Sequence, residues 1–117
     1  MRLHHVQVSC PPGGEDDARR FWVEGVGMTE VAKPTSLAGR GGAWFRAGTA
    51  EVHVGVEEPF APARKAHPAL VVDDLAECAE RLAALGFGVD WTERQTFPGF
   101  ERCHVRDAHG NRVELLA

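Results

Sequence analysis

Two stretches of this sequence run through the same succession of hydrophobic periods, and few folds accept such a repeat. In the first, residues 3 to 10 alternate Val6 and Val8 against His5, Gln7 and Ser9, the period of a half-buried strand. Pro11-Pro12-Gly13-Gly14 ends it, and Glu15-Asp16-Asp17 opens a helix on which Ala18, Phe21, Trp22 and Gly25 recur at helical spacing. Strands follow at 29–33, 43–47 and 50–54, separated by Gly39 to Gly42 and by Gly48. Residues 57–66 hold Glu57-Glu58, Pro59 and Pro62 with no apolar period, and read as a connecting arm. The same order then returns. A strand is expected over 67–72, and Asp74-x-x-Glu77 opens a helix with Leu75, Cys78, Ala79 and Leu82 on one stripe. Gly86 and Gly88 close that helix, and strands are expected at 89–92, 100–105 and 111–116, the last two joined by a turn at Asp107-Ala108-His109-Gly110. The reading is an α+β fold of two tandem βαβββ modules in a single domain over 1–117: module one about 1–56, the arm 57–66 and module two 67–117.

Size and charge agree with one folded domain and narrow the partners. At 117 residues, with 44% apolar and 26% charged residues, the chain holds one ordinary core and no disordered or coiled-coil composition. Its longest strongly apolar run is Ala69-Leu70-Val71-Val72, far short of the roughly 20 residues that cross a bilayer. The start is polar and carries histidines in place of an apolar leader, so a cytoplasmic location is expected. Thirteen basic residues against seventeen acidic give a net charge of −4 without blocks of either sign, which disfavours nucleic acid. Cys10, Cys78 and Cys103 are odd in number and lack C-x-x-C spacing, so they read as reduced packing residues.

The chemistry is expected on the polar face of the strands. From His5 to His53 is 48 positions and from His67 to Glu114 is 47, so the first and last strands of each module carry a metal-capable side chain at nearly equal separation. Each of the four lies opposite the Val and Leu positions of its strand, which the helices must cover. Three imidazoles and a carboxylate suit iron, manganese, nickel, zinc or cobalt; the other reading of the same face is a polar cleft without an ion. His4 falls on the opposite face and His109 in a turn, so neither is a ligand candidate. Gln7, Trp44, Glu51, Arg102 and His104 share the polar-face parity, with Phe100 two residues before Arg102. These are the candidate substrate-binding residues: Arg102 and His104 to hold an anionic or carbonyl oxygen and move a proton, Trp44 and Phe100 as apolar walls. Phe21, Trp22, Phe45 and Phe87 are expected in the core.

The sequence resembles the vicinal oxygen chelate superfamily, which includes glyoxalase I, fosfomycin-resistance transferases, bleomycin-resistance proteins, extradiol dioxygenases and methylmalonyl-CoA epimerase. The marks are Leu3-His4-His5-Val6, Phe21-Trp22 before Gly25-Val26-Gly27-Met28, and Asp107-Ala108-His109-Gly110-Asn111-Arg112-Val113-Glu114-Leu115. The resemblance implies a curved, barrel-like mixed sheet enclosing a cleft. It places the ligands of one divalent ion at His5, His53, His67 and Glu114, and it implies a homodimer, since the family pairs modules across chains. The implied activity is a lyase, isomerase or dioxygenase reaction on a small molecule with adjacent oxygens, with His104 or Glu114 as proton carrier. The alternative is metal-free binding or sequestration of a small molecule, as in bleomycin resistance. Ser9 and Glu57 stand where short bacterial glyoxalases carry Arg and Asn, and Gln7 stands where fosfomycin transferases carry Thr.

Overall fold

The structure, a computed structural model, describes residues 1–117. Strand β1 (Val6–Cys10) leads to helix α1 (Glu15–Arg19), which widens into a π-helical turn over Arg20–Gly25. β2 (Thr29–Val31), a 3₁₀ helix (Thr35–Arg40), β3 (Ala43–Ala47) and β4 (Ala50–Val56) follow. The second half comprises β5 (Ala69–Val71), α2 (Leu75–Ala84), β6 (Val89–Asp90), β7 (Arg102–Arg106) and β8 (Arg112–Leu116).

The two halves form separate four-stranded sheets of the same topology, β1-β4-β3-β2 and β5-β8-β7-β6. In each, the first strand pairs parallel with the last and the other pairings are antiparallel. The expected α+β fold of repeated βαβββ units is therefore present. Its sheets curve but do not close into a barrel.

Several elements are shorter than periodicity suggested. β1 begins at Val6, so His5 lies just before the strand, and His67 likewise precedes β5. Pro68 has no N–H to donate, yet its carbonyl still accepts from Glu114 N at 3.0 Å and holds His67 beside β8. β7 begins at Arg102, which leaves Phe100 in the preceding loop.

One core serves both modules. Phe21, Trp22, Phe45, Val52, Leu82, Val113 and Leu115 are fully buried, and Phe21 meets Phe87 edge-on at 5.1 Å. Burying an aromatic or branched aliphatic side chain of this size is worth about 1.5–3 kcal/mol. Asp74 caps α2 by accepting from Glu77 N at 2.9 Å, and Gly25 leaves the space that Leu82 fills.

The turn before β8 stitches the modules together. Asp107 Oδ1 accepts from the backbone N–H of both His109 and Asn111 at 2.9 Å. Asn111 Nδ2 donates to Asp107 Oδ2 at 2.8 Å and across the module boundary to Ser9 O at 2.7 Å. His109 Nε2 donates to Gly14 O at 2.8 Å. A short Asp-Ala-His-Gly-Asn segment thus satisfies its own buried polar groups and fixes β8 against β1, which in turn sets where Glu114 stands.

Candidate functional site

In module two, strand register brings three metal-capable groups together. His104 on β7 and Ala69 on β5 are the register partners of Glu114 on β8, and His67 is two residues before Ala69 on the same face. His67 Nε2 lies 3.0 Å from Glu114 Oε2, and His104 Nε2 lies 3.5 Å from the same oxygen. The ligand atoms of His67, His104 and Glu114 all fall within 4.8 Å of one another.

The hydrogen bonding of His67 says what this cluster lacks. Its Nδ1 is 2.7 Å from Lys65 O, and a carbonyl only accepts, so Nδ1 carries a proton. Nε2 of a neutral ring would then aim a lone pair at the Glu114 carboxylate. At 3.0 Å, a proton or a cation must lie between this nitrogen and the carboxylate oxygen. Fixing Nδ1 on a backbone carbonyl is also how metal-ligating histidines are commonly oriented.

Arg102 supports the carboxylate from the other side. Its Nη1 donates to Glu114 Oε1 at 3.1 Å, while Nη2 donates to Glu93 Oε2 at 3.2 Å and to Thr96 Oγ1 at 2.7 Å, and Nε to Glu93 O at 3.2 Å. The guanidinium also lies over the Phe97 ring at 5.5 Å. Of the five N–H groups of Arg102, the candidate partner of a substrate oxygen, four are turned to protein acceptors and one on Nη1 is left.

In module one the corresponding groups form an aromatic stack. His53 on β4 is the register partner of Trp44 on β3 and of Gln7 on β1. Its ring lies between His5, 4.0 Å away, and Trp44, 3.8 Å away, nearly parallel to both. His53 Nε2 pairs with Glu51 Oε1 at 2.8 Å, and Arg46 binds the other Glu51 oxygen at 2.9 Å. Gln7 lies over Gly55 on β4. His5 and His53 are not part of the His67–His104–Glu114 group. Phe100 is 40% exposed and packs edge-on against Phe97 at 5.7 Å.

Electrostatics differ between the groups. Burial pushes the Glu114 carboxyl upward, but hydrogen bonds from Arg102 and His67 and the nearby charges outweigh it and hold it below its ordinary value. Burial lowers the His104 imidazole, and the charges of Arg112, Arg102 and His67 add to this against the pull of Glu114. His5 is lowered by desolvation and by His53 and His4, while hydrogen bonds from His53 and Arg46 lower Glu51.

Glu93, Thr96 and Phe97, which hold Arg102, were not foreseen. They lie in a loop between β6 and β7 that has no hydrophobic period, and their only sequence signal is nearness to an arginine of polar-face parity. Lys65 acts through its carbonyl, which no side-chain pattern could reveal.

Comparison with known proteins places this arrangement. The family model of the Glyoxalase/Bleomycin resistance protein/Dioxygenase superfamily matches residues 2–115. A glyoxalase family protein from Bacillus anthracis is 41% identical, with 99% of this chain and 93% of that one covered and a TM-score of 0.91. The fold alone is shared with the fosfomycin resistance protein FosX from Listeria monocytogenes, 14% identical over 100% of this chain and 90% of that one, TM-score 0.74. It is shared equally with TnmS3, an antibiotic binding protein from Streptomyces sp. CB03234, 24% identical over 98% and 96%, TM-score 0.67. No curated protein matches the chain. With a family model spanning nearly all of its length and a relative above 40% identity, the chain belongs to the Glyoxalase/Bleomycin resistance protein/Dioxygenase superfamily.

Proposed function

We propose that the protein is a metal-dependent enzyme acting on a small molecule with adjacent oxygens, in a lyase, isomerase or dioxygenase type of reaction. The observation that carries this reading is the convergence of His67, His104 and Glu114, whose ligand atoms lie within 4.8 Å of one another, with the His67 ring anchored on a backbone carbonyl beside the buried carboxylate. His67, His104 and Glu114 offer two nitrogens and a carboxylate, a donor set that fits iron, nickel, zinc, manganese or cobalt. Such an ion, when bound, supplies Lewis acidity toward paired substrate oxygens. Arg102 holds Glu114 ionised and in place. His104, its imidazole lowered by burial, stays neutral near pH 7 and can take a proton beside Glu114; either of the two serves as proton carrier. Trp44 and Phe100 supply apolar walls, with Gln7 and Glu51 as polar contacts.

His5 and His53 enter this reading through a second copy of the chain. His53 on β4 and Glu114 on β8 hold equivalent places in sheets of identical order. A homodimer that sets module one of one copy against module two of the other brings His5 and His53 to His67 and Glu114. Mixing His53→Ala with Glu114→Ala tests this. Metal binding restored by the mixture, above that of either variant alone, supports a shared site.

The second reading, metal-free binding of a small molecule, is favoured by one feature. Arg102 already pairs with Glu114 at 3.1 Å and compensates its charge without any ion. Elemental analysis of protein purified without chelator decides between the two. Stoichiometric metal in the wild type, lost in Glu114→Ala, supports the enzyme; less than roughly a tenth of an ion per chain in both supports the binder.

A further inference from the structure

Arg102 turns most of its N–H groups to Glu114, Glu93 and Thr96, and its charge is already matched by carboxylates. Arg19, Arg46, Arg81 and Arg94 also stand against carboxylates. Arg64, Arg106 and Arg112 form no ion pair, although acidic residues outnumber basic ones seventeen to thirteen in the chain. All three line one pocket of about 550 Å³, together with Asp90, Gly88 and His104.

The register explains the gathering. Arg106 on β7 is the direct partner of Arg112 on β8, and two residues further along each strand, on the same face, His104 is the partner of Glu114. Asp90 on β6 faces His104. Like charges directly opposite each other on neighbouring strands repel at a Cβ separation of roughly 5 Å. Here the pair is reinforced by Arg64 from the connecting arm instead of being neutralised. Only Arg106 makes a hydrogen bond within the protein, from Nη1 to Gly110 O at 3.0 Å. Asp90 is the sole acid in the pocket, and one of its oxygens accepts from Thr92 N at 2.9 Å. Three arginines against one aspartate leave a net positive pocket. At Gly88 an added Cβ would meet nothing, so that side stays open.

We propose that this pocket is an anion subsite, and that the substrate of the candidate centre carries a compact oxyanion, a carboxylate or a phosphate, at one end. The assignment to that substrate rests on the function proposed above; the anion site itself does not. His104 belongs both to this pocket and to the group around Glu114, so the two share a side chain. Two residues along a strand span roughly 7 Å, which sets the distance between the Arg106–Arg112 row and the His104–Glu114 row. A molecule with its oxyanion between the arginines and its paired oxygens at Glu114 is therefore a small acid of a few carbons.

Binding of inorganic phosphate and of pyruvate to chelator-treated protein, followed by calorimetry, tests the subsite without any metal. Arg112→Gln and Arg106→Gln should each weaken binding about tenfold or more, as expected for a lost charge-assisted contact. Asp90→Asn should tighten it, and Arg2→Gln, which removes an exposed charge elsewhere, should leave it unchanged. The tighter of the two anions identifies the oxyanion. Arg64→Gln, in the arm outside the sheets, provides the same reading if a strand variant fails to fold. Equal binding by wild type and the arginine variants, or no binding of either anion at tens of millimolar, would overturn the proposal. Metal content does not enter this measurement, so a protein that binds anions but no metal keeps the subsite and loses the enzyme reading, and the reverse result does the opposite.

Discussion

Arg102 Nη1 donates to Glu114 Oε1 at 3.1 Å, and both side chains are largely withdrawn from solvent, at 17% and 6% exposure. The pairing joins β7 to β8 at the carboxylate to which His67 and His104 also turn. Because Glu93 and Thr96 hold the far side of the guanidinium, its position is set before any ligand arrives.

Replacing Arg102 by Gln leaves Glu114 buried with only histidine partners. Breaking a fully buried ion pair from one side costs about 3–5 kcal/mol. The partial exposure of Arg102 and the remaining His67 contact reduce the expected loss to about 1–3 kcal/mol in urea denaturation. A Glu114→Gln partner variant should recover part of it, since an amide needs no counter-charge. An unchanged denaturation midpoint for Arg102→Gln would show that the pair contributes nothing net.

The three thiols give an independent check on the core. Cys10, Cys78 and Cys103 are free and buried, and burial raises all three; Cys103, with Cys78, Asp90 and Glu114 nearby, is pushed up to about 11. Thiolate is the reacting form, so at pH 8 iodoacetamide should label none of them in native protein and all three in 6 M guanidinium. Fast labelling of any cysteine in the native state would contradict the packing described.

Glu15 supplies a pH dependence far from the candidate centre. Its Oε1 accepts from Gly42 N at 2.9 Å, and that bond, with its own N–H and the charge of Arg19, outweighs burial and Asp16 to lower its carboxyl from 4.5. A lowered folded value means that the contribution is complete above about pH 4.5 and is lost as pH falls through the folded value. The stability difference between wild type and Glu15→Gln should therefore be constant from pH 7 to pH 5 and shrink below pH 4.5. It should also be small and weaken with salt, since the group is partly exposed. A difference that grows on acidification would reverse the sign.

Local periodicity carried the repeated element order, because Val52 and Val54 or Val113 and Leu115 report their face through alternation alone. It also placed Gln7, Trp44, Arg102 and His104 on the polar face. What it could not carry is docking between elements. The stack of His5, His53 and Trp44 depends on where residue 5 leaves β1, and the grouping of His104 with His67 depends on how Pro68 lies beside β8. The π turn at 20–25 was equally hidden, since Phe21, Trp22 and Gly25 fit an ordinary helical stripe as well. The clamp on Arg102 comes from a loop whose turns are closed locally, by Asp90 on Thr92 N and by Thr96 on Glu93, but which has no hydrophobic period to show where it meets β7.

The inter-module contact between Gly14 and His109 can be isolated by a double-mutant cycle. Gly14 has an ordinary φ of −86°, so alanine is permitted by the backbone and only space decides. A Cβ there would lie 2.7 Å from His109 Cε1 and 2.8 Å from Nε2, too close for either atom. Gly14→Ala must therefore displace the ring and break its hydrogen bond to Gly14 O, at an expected loss of about 1–2 kcal/mol. In a His109→Ala background the same substitution meets chiefly Pro11 O at 3.0 Å, and the lower unfolded-state entropy of alanine offsets part of that contact. The two changes should then be non-additive by about 1 kcal/mol or more, measured from urea midpoints. Simple additivity would mean that the ring does not bridge the modules at Gly14, and that Asn111 alone ties β8 to β1.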